Sequence, residues 1–589
     1  MDRTSTIILI ICAILFIVWA MMAPKVYRRH LERLRAAQQT ATQTTTNAQS
    51  AQTPTITPQG TQAPSAPVAF PTTYSNTIPE EVIVLSNHLV RYHITSHGGG
   101  IKKVELLAYP EKPVVKKGQT FHPVVLNRYG EHLPILATKI GNNESYDIPY
   151  QLKASGNKVL AEAFVENGIK IRKVYELKDA YLLQASIEIE YEGTNTLPAL
   201  PVWLSTGITG PLTDDTTTGP KIMWYDGKKT FTVDEAWFAN RFLGCFPGTP
   251  RSQYLEPCTN LVWLANNNRF FVIALMPNPP PTMLFCTIQN VTISNHTSHL
   301  YPAAVLYQLS NIPPGGSNEI KLTIYAGPKE YRRLSRLGTE FNNDLQRVMG
   351  FENVLGGRFT AFFAKLLLVC MNGLHDMLKL GYGWIIIIFT FLIKLLFWPL
   401  TQASTRSMKR LQELQPQMNA IREKYKDDPE KLNRKMMEFM KEHRVNPMSG
   451  CLPILVQMPV FIGFFIMIQS AIELRGAAFL WIRDLSQPDT LFHIPGTSIP
   501  FNLLPLLMGA TMVWQSHLTP PSPGVDRTQQ TILRWMPLIF LVLLYNFPAG
   551  LTLYWTVQNL LSIAQMKLTK ATQTVSVTTQ HQKPMSKHR

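Results

Sequence analysis

Hydrophobic and polar positions divide this chain into three regimes. Ile7 to Met22 is an uncharged apolar run of 16 residues, and with Thr4 to Thr6 and Ala23 it approaches the length that crosses a bilayer. A cleaved signal peptide is the rival reading. Cleavage after Ala23 would put bulky Met21 where a small residue is wanted and Pro24 just past the cut, so residues 1–24 read as an uncleaved transmembrane anchor. Residues 25–79 read as a tether: from Ala36 to Pro79 there is no charge, and Thr, Gln, Ala, Pro and Ser dominate, a composition that cannot bury a core. Over 80–345 the period changes to two. Ile187, Ile189 and Tyr191 alternate with Glu188, Glu190 and Glu192, Glu166-Asn167-Gly168 separates two alternating runs as a hairpin turn would, and a similar run spans Ile320 to Tyr325. These short strands predict an all-β sandwich.

Beyond Phe341 the period becomes helical. Phe359 to Leu380 interleaves apolar residues with Lys365, His375, Asp376 and Lys379 and reads as an amphipathic helix on the membrane surface, within an interfacial region over 346–383. Five apolar spans follow within 384–568: Trp384–Leu400, Leu452–Ile472, Ile499–Trp514, Ile532–Tyr545 and Ala549–Ala564. Several fall short of the roughly 20 residues a full bilayer needs, which suggests local thinning. With the anchor they make six spans. Between the first two of the five, over 402–450, Met408, Leu411, Leu414, Met418, Ile421 and Tyr425 recur at helical steps, then Asp428-Pro429 opens a second helix carrying Leu432, Met436, Phe439 and Met440. A helical hairpin is predicted. Its apolar faces either pair with each other or, being Met-rich and adaptable, touch apolar segments of a partner.

Charge sets the orientation. A net charge of +17 suggests nucleic acid only if the basic residues form one soluble patch, and here they flank apolar runs. The 402–450 loop carries eleven Lys or Arg against seven acids, and the tail over 569–589 is basic, so both fall in the cytoplasm. Lys25, Arg28, Arg29, Arg33 and Arg35 point the other way, but they precede a long exported segment, where the charge rule weakens. The N-terminus is then cytoplasmic and the sandwich exported. Six scattered cysteines form no metal pattern; Cys12, Cys370 and Cys451 read as packing residues, and only Cys245 and Cys258 are placed so that an oxidising compartment would allow a bridge.

Lys394 is the residue with most to say. It lies ten residues past Trp384, about 15 Å along a helix, well inside the apolar layer. Either it faces a water-filled cavity or partner, or it snorkels toward the cytoplasmic headgroups. Thr390 and Thr401 share its face. The last span carries Tyr554, Trp555, Gln558, Asn559, Ser562 and Gln565, and the third of the six core and anchor spans carries Gln457 and Gln469. Such groups serve as helix-to-helix glue or line a hydrated groove, and no acidic residue stands among them to pair the lysine.

Val445-Asn446-Pro447, Gly450-Cys451-Leu452-Pro453, Gln457-Met458-Pro459-Val460-Phe461, Glu473-Leu474-Arg475 and Leu480-Trp481-Ile482-Arg483-Asp484-Leu485 resemble the YidC/Oxa family of membrane protein insertases. So do Pro399-Leu400-Thr401, Met508-Gly509-Ala510-Thr511-Met512 and Phe547-Pro548-Ala549-Gly550-Leu551 with Tyr554-Trp555. Upstream, Gly98-Gly99-Gly100-Ile101 and Tyr325-Ala326-Gly327-Pro328-Lys329 resemble the borders of that family's exported domain, a β-sandwich akin to sugar-binding mutarotases. The resemblance implies a bacterial inner-membrane protein with a five-helix core around a groove open to cytoplasm and lipid and closed toward the outside. Its partners would be nascent membrane proteins and lipids, together with a ribosome and a Sec translocon or alone. Substrate-contacting positions carry over as Thr390, Met458, Phe461, Tyr554 and Trp555. Lys394 stands where the family has an arginine, and so keeps the charge without the bidentate fork. Trp555 stands where a second tyrosine is frequent.

No phosphate-binding loop, metalloprotease helix or nucleophile elbow occurs, so the sequence points to no enzyme, cofactor or metal. A secondary transporter would need inverted repeats and acidic coupling residues, and none is visible. A tethered mutarotase-like enzyme would need a His and carboxylate constellation; His88, His93 and His97 cluster, in what reads as an edge strand.

Overall fold

The computed structural model describes residues 70, 78–113, 121–141, 145–212, 219–241, 248–293, 296–353, 357–426, 428–443, 452–495, 499–518 and 527–580. The apolar run Ile7 to Met22, most of the tether, Cys12, Cys245, Cys451 and the end of the basic tail lie outside the described residues.

Alternation becomes a sandwich as the pattern requires. A nine-stranded antiparallel sheet runs in the spatial order Thr230–Val233, Lys221–Tyr225, Trp263–Asn267, Phe271–Asn278, Ser317–Pro328, Leu182–Tyr191, Ile169–Leu177, Lys158–Val165, Gln151–Ser155. A five-stranded sheet joins Gln253–Pro257, Met283–Thr287, Ala303–Leu309, Leu200–Ser205 and Thr138–Ile140. Their inner faces share one core that includes Ile171, Ile187, Val202, Leu204, Leu275 and Ile324. The hairpin at Glu166–Gly168 forms because Asn167 and Gly168 take left-handed backbone, at φ 67 and 73 degrees, the conformations those residue types tolerate best. Register follows from burial: Ile320 stands opposite Ile187 and Ile324 opposite Leu183, so a one-residue slip would turn the core face outward.

A four-stranded sheet of Val82–Ser86, Val90–Thr95, Ile101–Pro110 and Pro123–Leu126 completes the domain. The strand carrying His93 is flanked on both sides, so it is not the edge strand its sequence suggests. His93 lies 3.3 Å from Glu105, and His97 bonds the Ile78 carbonyl. The sandwich also reaches further upstream than the predicted boundary: Phe70 is buried between Tyr146 and Phe285, a contact that the surrounding Thr- and Pro-rich composition conceals.

The helices, in chain order, are α1 (Glu235–Ala239), α2 (Tyr331–Glu340), α3 (Gly357–Leu378), α4 (Tyr382–Leu396), α5 (Trp398–Glu413), α6 (Gln415–Lys424), α7 (Pro429–Glu442), α8 (Leu452–Ile468), α9 (Leu503–Leu518), α10 (Arg527–Leu543) and α11 (Ala549–Gln580). By length and composition, α3 among the described residues is long and apolar enough to cross a membrane, although the sequence places it along the surface. It is tied to the start of α2, with Lys365 over the Tyr331 ring and Asp376 paired with Arg332. It also packs closely on α8, where a Cβ at Gly463 would meet the Phe363 Cβ at 2.7 Å.

Several boundaries depart from the sequence reading. The span Trp384–Leu400 is not continuous: α4 ends at Leu396, with Phe397 as its cap, and the chain bends by 57° into the start of α5. Pro399 sits in the first turn of α5, where its missing N–H costs nothing and where continuation of a preceding helix is disfavoured. The first hairpin helix likewise breaks at Leu414, with Pro416 opening α6. Asp428 caps α7 as predicted, its carboxylate accepting from the Lys431 N–H at 3.0 Å. The span assigned to Ile499–Trp514 starts later, because Pro500–Asn502 pairs as a strand with Thr490–His493 before α9 begins. The last helix runs on to Gln580, well past Ala564, so the basic tail starts as helix. The Met418, Met436 and Met440 side chains are buried against one another and against Leu414, Ile421, Leu432 and Phe439, so the hairpin's apolar faces pair with each other.

Candidate functional site

The polar positions of the helical part converge on Lys394. α4 is almost wholly apolar, and its Thr390 and Lys394, one turn apart, share the face that meets α11. Tyr554, Gln558, Ser562 and Gln565 follow one another along α11 at helical spacing. The Lys394 ammonium donates to the Ser562 hydroxyl at 2.9 Å, and that hydroxyl donates to the Gln558 carbonyl at 2.8 Å. Thr390 returns its hydroxyl to the Ile386 carbonyl at 2.6 Å. Gln558 donates to the Gln457 side chain on α8 at 3.3 Å, and Gln565 donates to the Thr401 hydroxyl on α5 at 2.8 Å. Residues of α4, α5, α8 and α11 thus form one polar seam. On another side of α11, Asn559 donates to Thr511 of α9 at 3.2 Å.

Lys394 is only 7% exposed, and among the described residues no carboxylate forms an ion pair with it. Its ammonium is engaged inside the bundle, which is not what a side chain stretched toward headgroups would do. A buried cation held by a neutral hydroxyl is expensive, and it becomes tolerable when water or a passing anionic or polar group completes its shell.

Beside the seam lies an aromatic wall. Phe461 of α8 meets Trp555 edge to face at 4.6 Å, Phe540 of α10 approaches Trp555 at 5.4 Å, and Phe464 leans on Tyr554 at 4.8 Å. Tyr554 is buried, whereas Met458 is 43% exposed on the outside of α8. The eight residues singled out in the sequence therefore divide into an interior polar set (Lys394, Thr390, Gln457, Gln558) and an aromatic and Met set (Phe461, Tyr554, Trp555, Met458). Gln469 lies past the end of α8, away from the seam. Phe464, Phe540 and Thr511 were not anticipated; the only signal was the position of Thr511 in the Met508–Met512 motif.

An apolar helical bundle with a buried cation, preceded by a large sandwich, defines an integral membrane protein with a β-rich extramembrane domain. Residues 82–368 match the family profile described as YidC periplasmic domain, and residues 373–576 match the one described as 60Kd inner membrane protein. Membrane protein insertase YidC of Cupriavidus necator is 32% identical over 524 residues, covering 86% of this chain and 85% of its own. The Syntrophus aciditrophicus protein of that name is 38% identical over 319 residues, 54% of this chain and 53% of its own. A solved structure, described as an active YidC insertase with the first transmembrane domain resolved, is 20% identical and covers 84% of this chain and 93% of that one at a TM-score of 0.33. The chain belongs to the YidC family of membrane protein insertases. It is accordingly an inner-membrane protein, and its sandwich is the periplasmic domain.

Proposed function

We propose that this chain inserts nascent membrane proteins by receiving their short hydrophilic ends at the polar seam around Lys394 while their apolar helices move along the Met458, Phe461 and Trp555 side into lipid. The observation that carries this reading is the buried ammonium of Lys394, bonded to Ser562 and to no carboxylate among the described residues. A cation so placed attracts an acidic or polar end, and release of the client's apolar helix into hydrocarbon drives the step forward without a nucleotide. The working arrangement is six spans with a five-helix core of α4, α8, α9, α10 and α11, a seam hydrated from the cytoplasm, and both termini in the cytoplasm. The hairpin of α6 and α7 meets the ribosome through its charged outer surface, since Met418, Met436 and Met440 face inward, and a Sec-type translocon works alongside for some clients.

Photocrosslinking tests the route. A photoreactive residue at Met458 or Trp555 should crosslink to a stalled nascent membrane protein, whereas one at exposed Phe164 of the sandwich should not. Equal yield from all three positions would refute a defined route.

A further inference from the structure

The segment from Ser470 to Gln487 follows α8 and is bonded in two directions. Toward the helices, the Ala549 N–H donates to the Gln487 carbonyl at 2.8 Å and the Gly550 N–H to the Leu485 carbonyl at 2.8 Å, so the segment occupies the start of α11. Phe479 lies over the start of α4: a Cβ at Gly383 would collide with its ring, and Trp384 meets it edge to face at 5.2 Å. Phe479 and Ile482 exchange backbone hydrogen bonds at 2.8 Å each, and the Leu485 N–H returns to the Ala477 carbonyl at 3.0 Å, which folds the segment into a compact strap. Buried Leu474, Phe479, Ile482 and Leu485 make its underside apolar.

Toward the sandwich, two arginines cross the boundary in opposite senses. Arg475 of the strap donates to the Pro110 and Glu111 carbonyls, both at 2.8 Å, and its guanidinium lies 5.4 Å from the Phe271 ring centroid. Arg269 of the sandwich, itself buried, donates to the Ser486 carbonyl of the strap at 2.8 Å. The Ser470 hydroxyl adds a bond to the Met349 carbonyl at 3.0 Å. Gly476, between these contacts, has left-handed φ of 72 degrees and lies against Pro113, where a Cβ would come within 3.0 Å of the Pro113 Cβ. Both arginines thus donate to backbone carbonyls of the other partner.

We propose that this reciprocal arginine clasp makes the periplasmic domain a clamp on the strap, and that the strap is the seal over the periplasmic ends of α4 and α11. The inference stands on the strap's own contacts and does not depend on the route proposed for clients. In it Arg475 and Arg269 are positioning residues: they hold the seal shut and take no part in receiving a client. Loosening the clasp therefore opens the bundle from the periplasmic side while leaving insertion in place.

Hydrogen exchange of the full-length protein in lipid nanodiscs tests this, comparing the parent with Arg475→Gln and Arg269→Gln. Each variant should speed exchange of the Phe479, Ile482 and Leu485 amides by roughly tenfold or more, while amides of the strands Ile169–Leu177 and Leu182–Tyr191 remain as protected as in the parent. In a background lacking native cysteines, a cysteine replacing Ile386, which is buried one turn inside α4, should become reactive to a membrane-impermeant maleimide applied from the periplasmic side. Unchanged strap exchange in both variants, or a still-protected cysteine when the strap is loosened, would overturn the proposal. Equal acceleration in the sandwich strands would also overturn it, because the arginines would then be holding the domain's fold rather than the seal.

Discussion

The Lys394 ammonium reaches 2.9 Å across the bundle to the Ser562 hydroxyl, joining the last turn of α4 to the middle of α11 just before the chain bends at Phe397. If the seam is dry, removing that acceptor strands a buried cation. If water reaches it from the cytoplasm, a water molecule takes the hydroxyl's place. The account predicts the second behaviour: Ser562→Ala keeps insertion within about twofold of the parent, whereas Ser562→Leu, which fills the space and excludes water, lowers it about tenfold. Insertion rates in proteoliposomes at matched protein levels make the comparison, and an equally severe alanine variant would mean that the seam is closed to water.

Lys173 poses a different buried-cation problem, inside the sandwich. It is fully buried on the core face of its strand, donates to the Gly98 and Leu136 carbonyls at 2.8 and 2.7 Å, and lies 4.5 Å from the Tyr150 ring centroid. Burial pushes its pKa well below the usual lysine value of 10.5. Between the lowered folded value and 10.5 the unfolded chain binds more protons than the folded one. Stability therefore rises with pH across that window, and the contribution is lost as pH falls through the folded value. Lys173→Met should flatten this slope. It should also cost about 2–4 kcal/mol, since two buried carbonyls lose a donor at about 1–3 kcal/mol each and the relief of lysine desolvation offsets part of that. Denaturant unfolding of both proteins at neutral and alkaline pH decides it; parallel slopes would contradict the assignment.

Orientation is tested by labelling. With the basic hairpin inside and the sandwich outside, a cysteine at Glu190 in a background lacking native cysteines should react with an impermeant reagent on intact spheroplasts, and one at Met437 should react only after lysis. Both positions are accessible enough to report, Met437 being exposed on α7 and Glu190 lying on the outer face of its sheet. The reverse pattern would invert the topology.

What the sequence made legible is what periodicity encodes directly. The hairpin at Asn167-Gly168, the alternation that buries Ile187, Ile189 and Tyr191, and the Asp428 cap each follow from local chemistry that leaves a mark in three or four neighbouring residues. The bend at Phe397 was less legible because Pro399 lies inside an unbroken apolar run, and hydropathy alone registers no change of direction there. The short hairpin of Thr490–His493 and Pro500–Asn502 was missed because its apolar residues merge with those of α9. Phe70 escaped because a single buried aromatic in a Thr- and Pro-rich stretch has no periodic partner. For the site, spacing gave the stripe Gln558, Ser562 and Gln565 and marked Lys394 as costly. That Ser562 in particular accepts from Lys394, and that Gln565 reaches Thr401 beyond the bend, depends on how four helices meet, which no one-dimensional pattern records.

The central claim is that the charge of Lys394 receives the polar ends of clients, and a paired-client assay measures it most directly. Two single-span clients, identical except for an acidic or a neutral exported tail, are inserted by the parent and by Lys394→Arg, Lys394→Ala and Lys394→Glu at matched levels. Lys394→Arg should stay within about twofold for both clients, because charge and length are kept. Lys394→Ala should fall between the parent and the glutamate variant. Lys394→Glu should lower insertion of the acidic-tail client about tenfold further than that of the neutral one, since attraction becomes repulsion in a medium of low dielectric. Equal insertion of the two clients by Lys394→Glu would contradict the account.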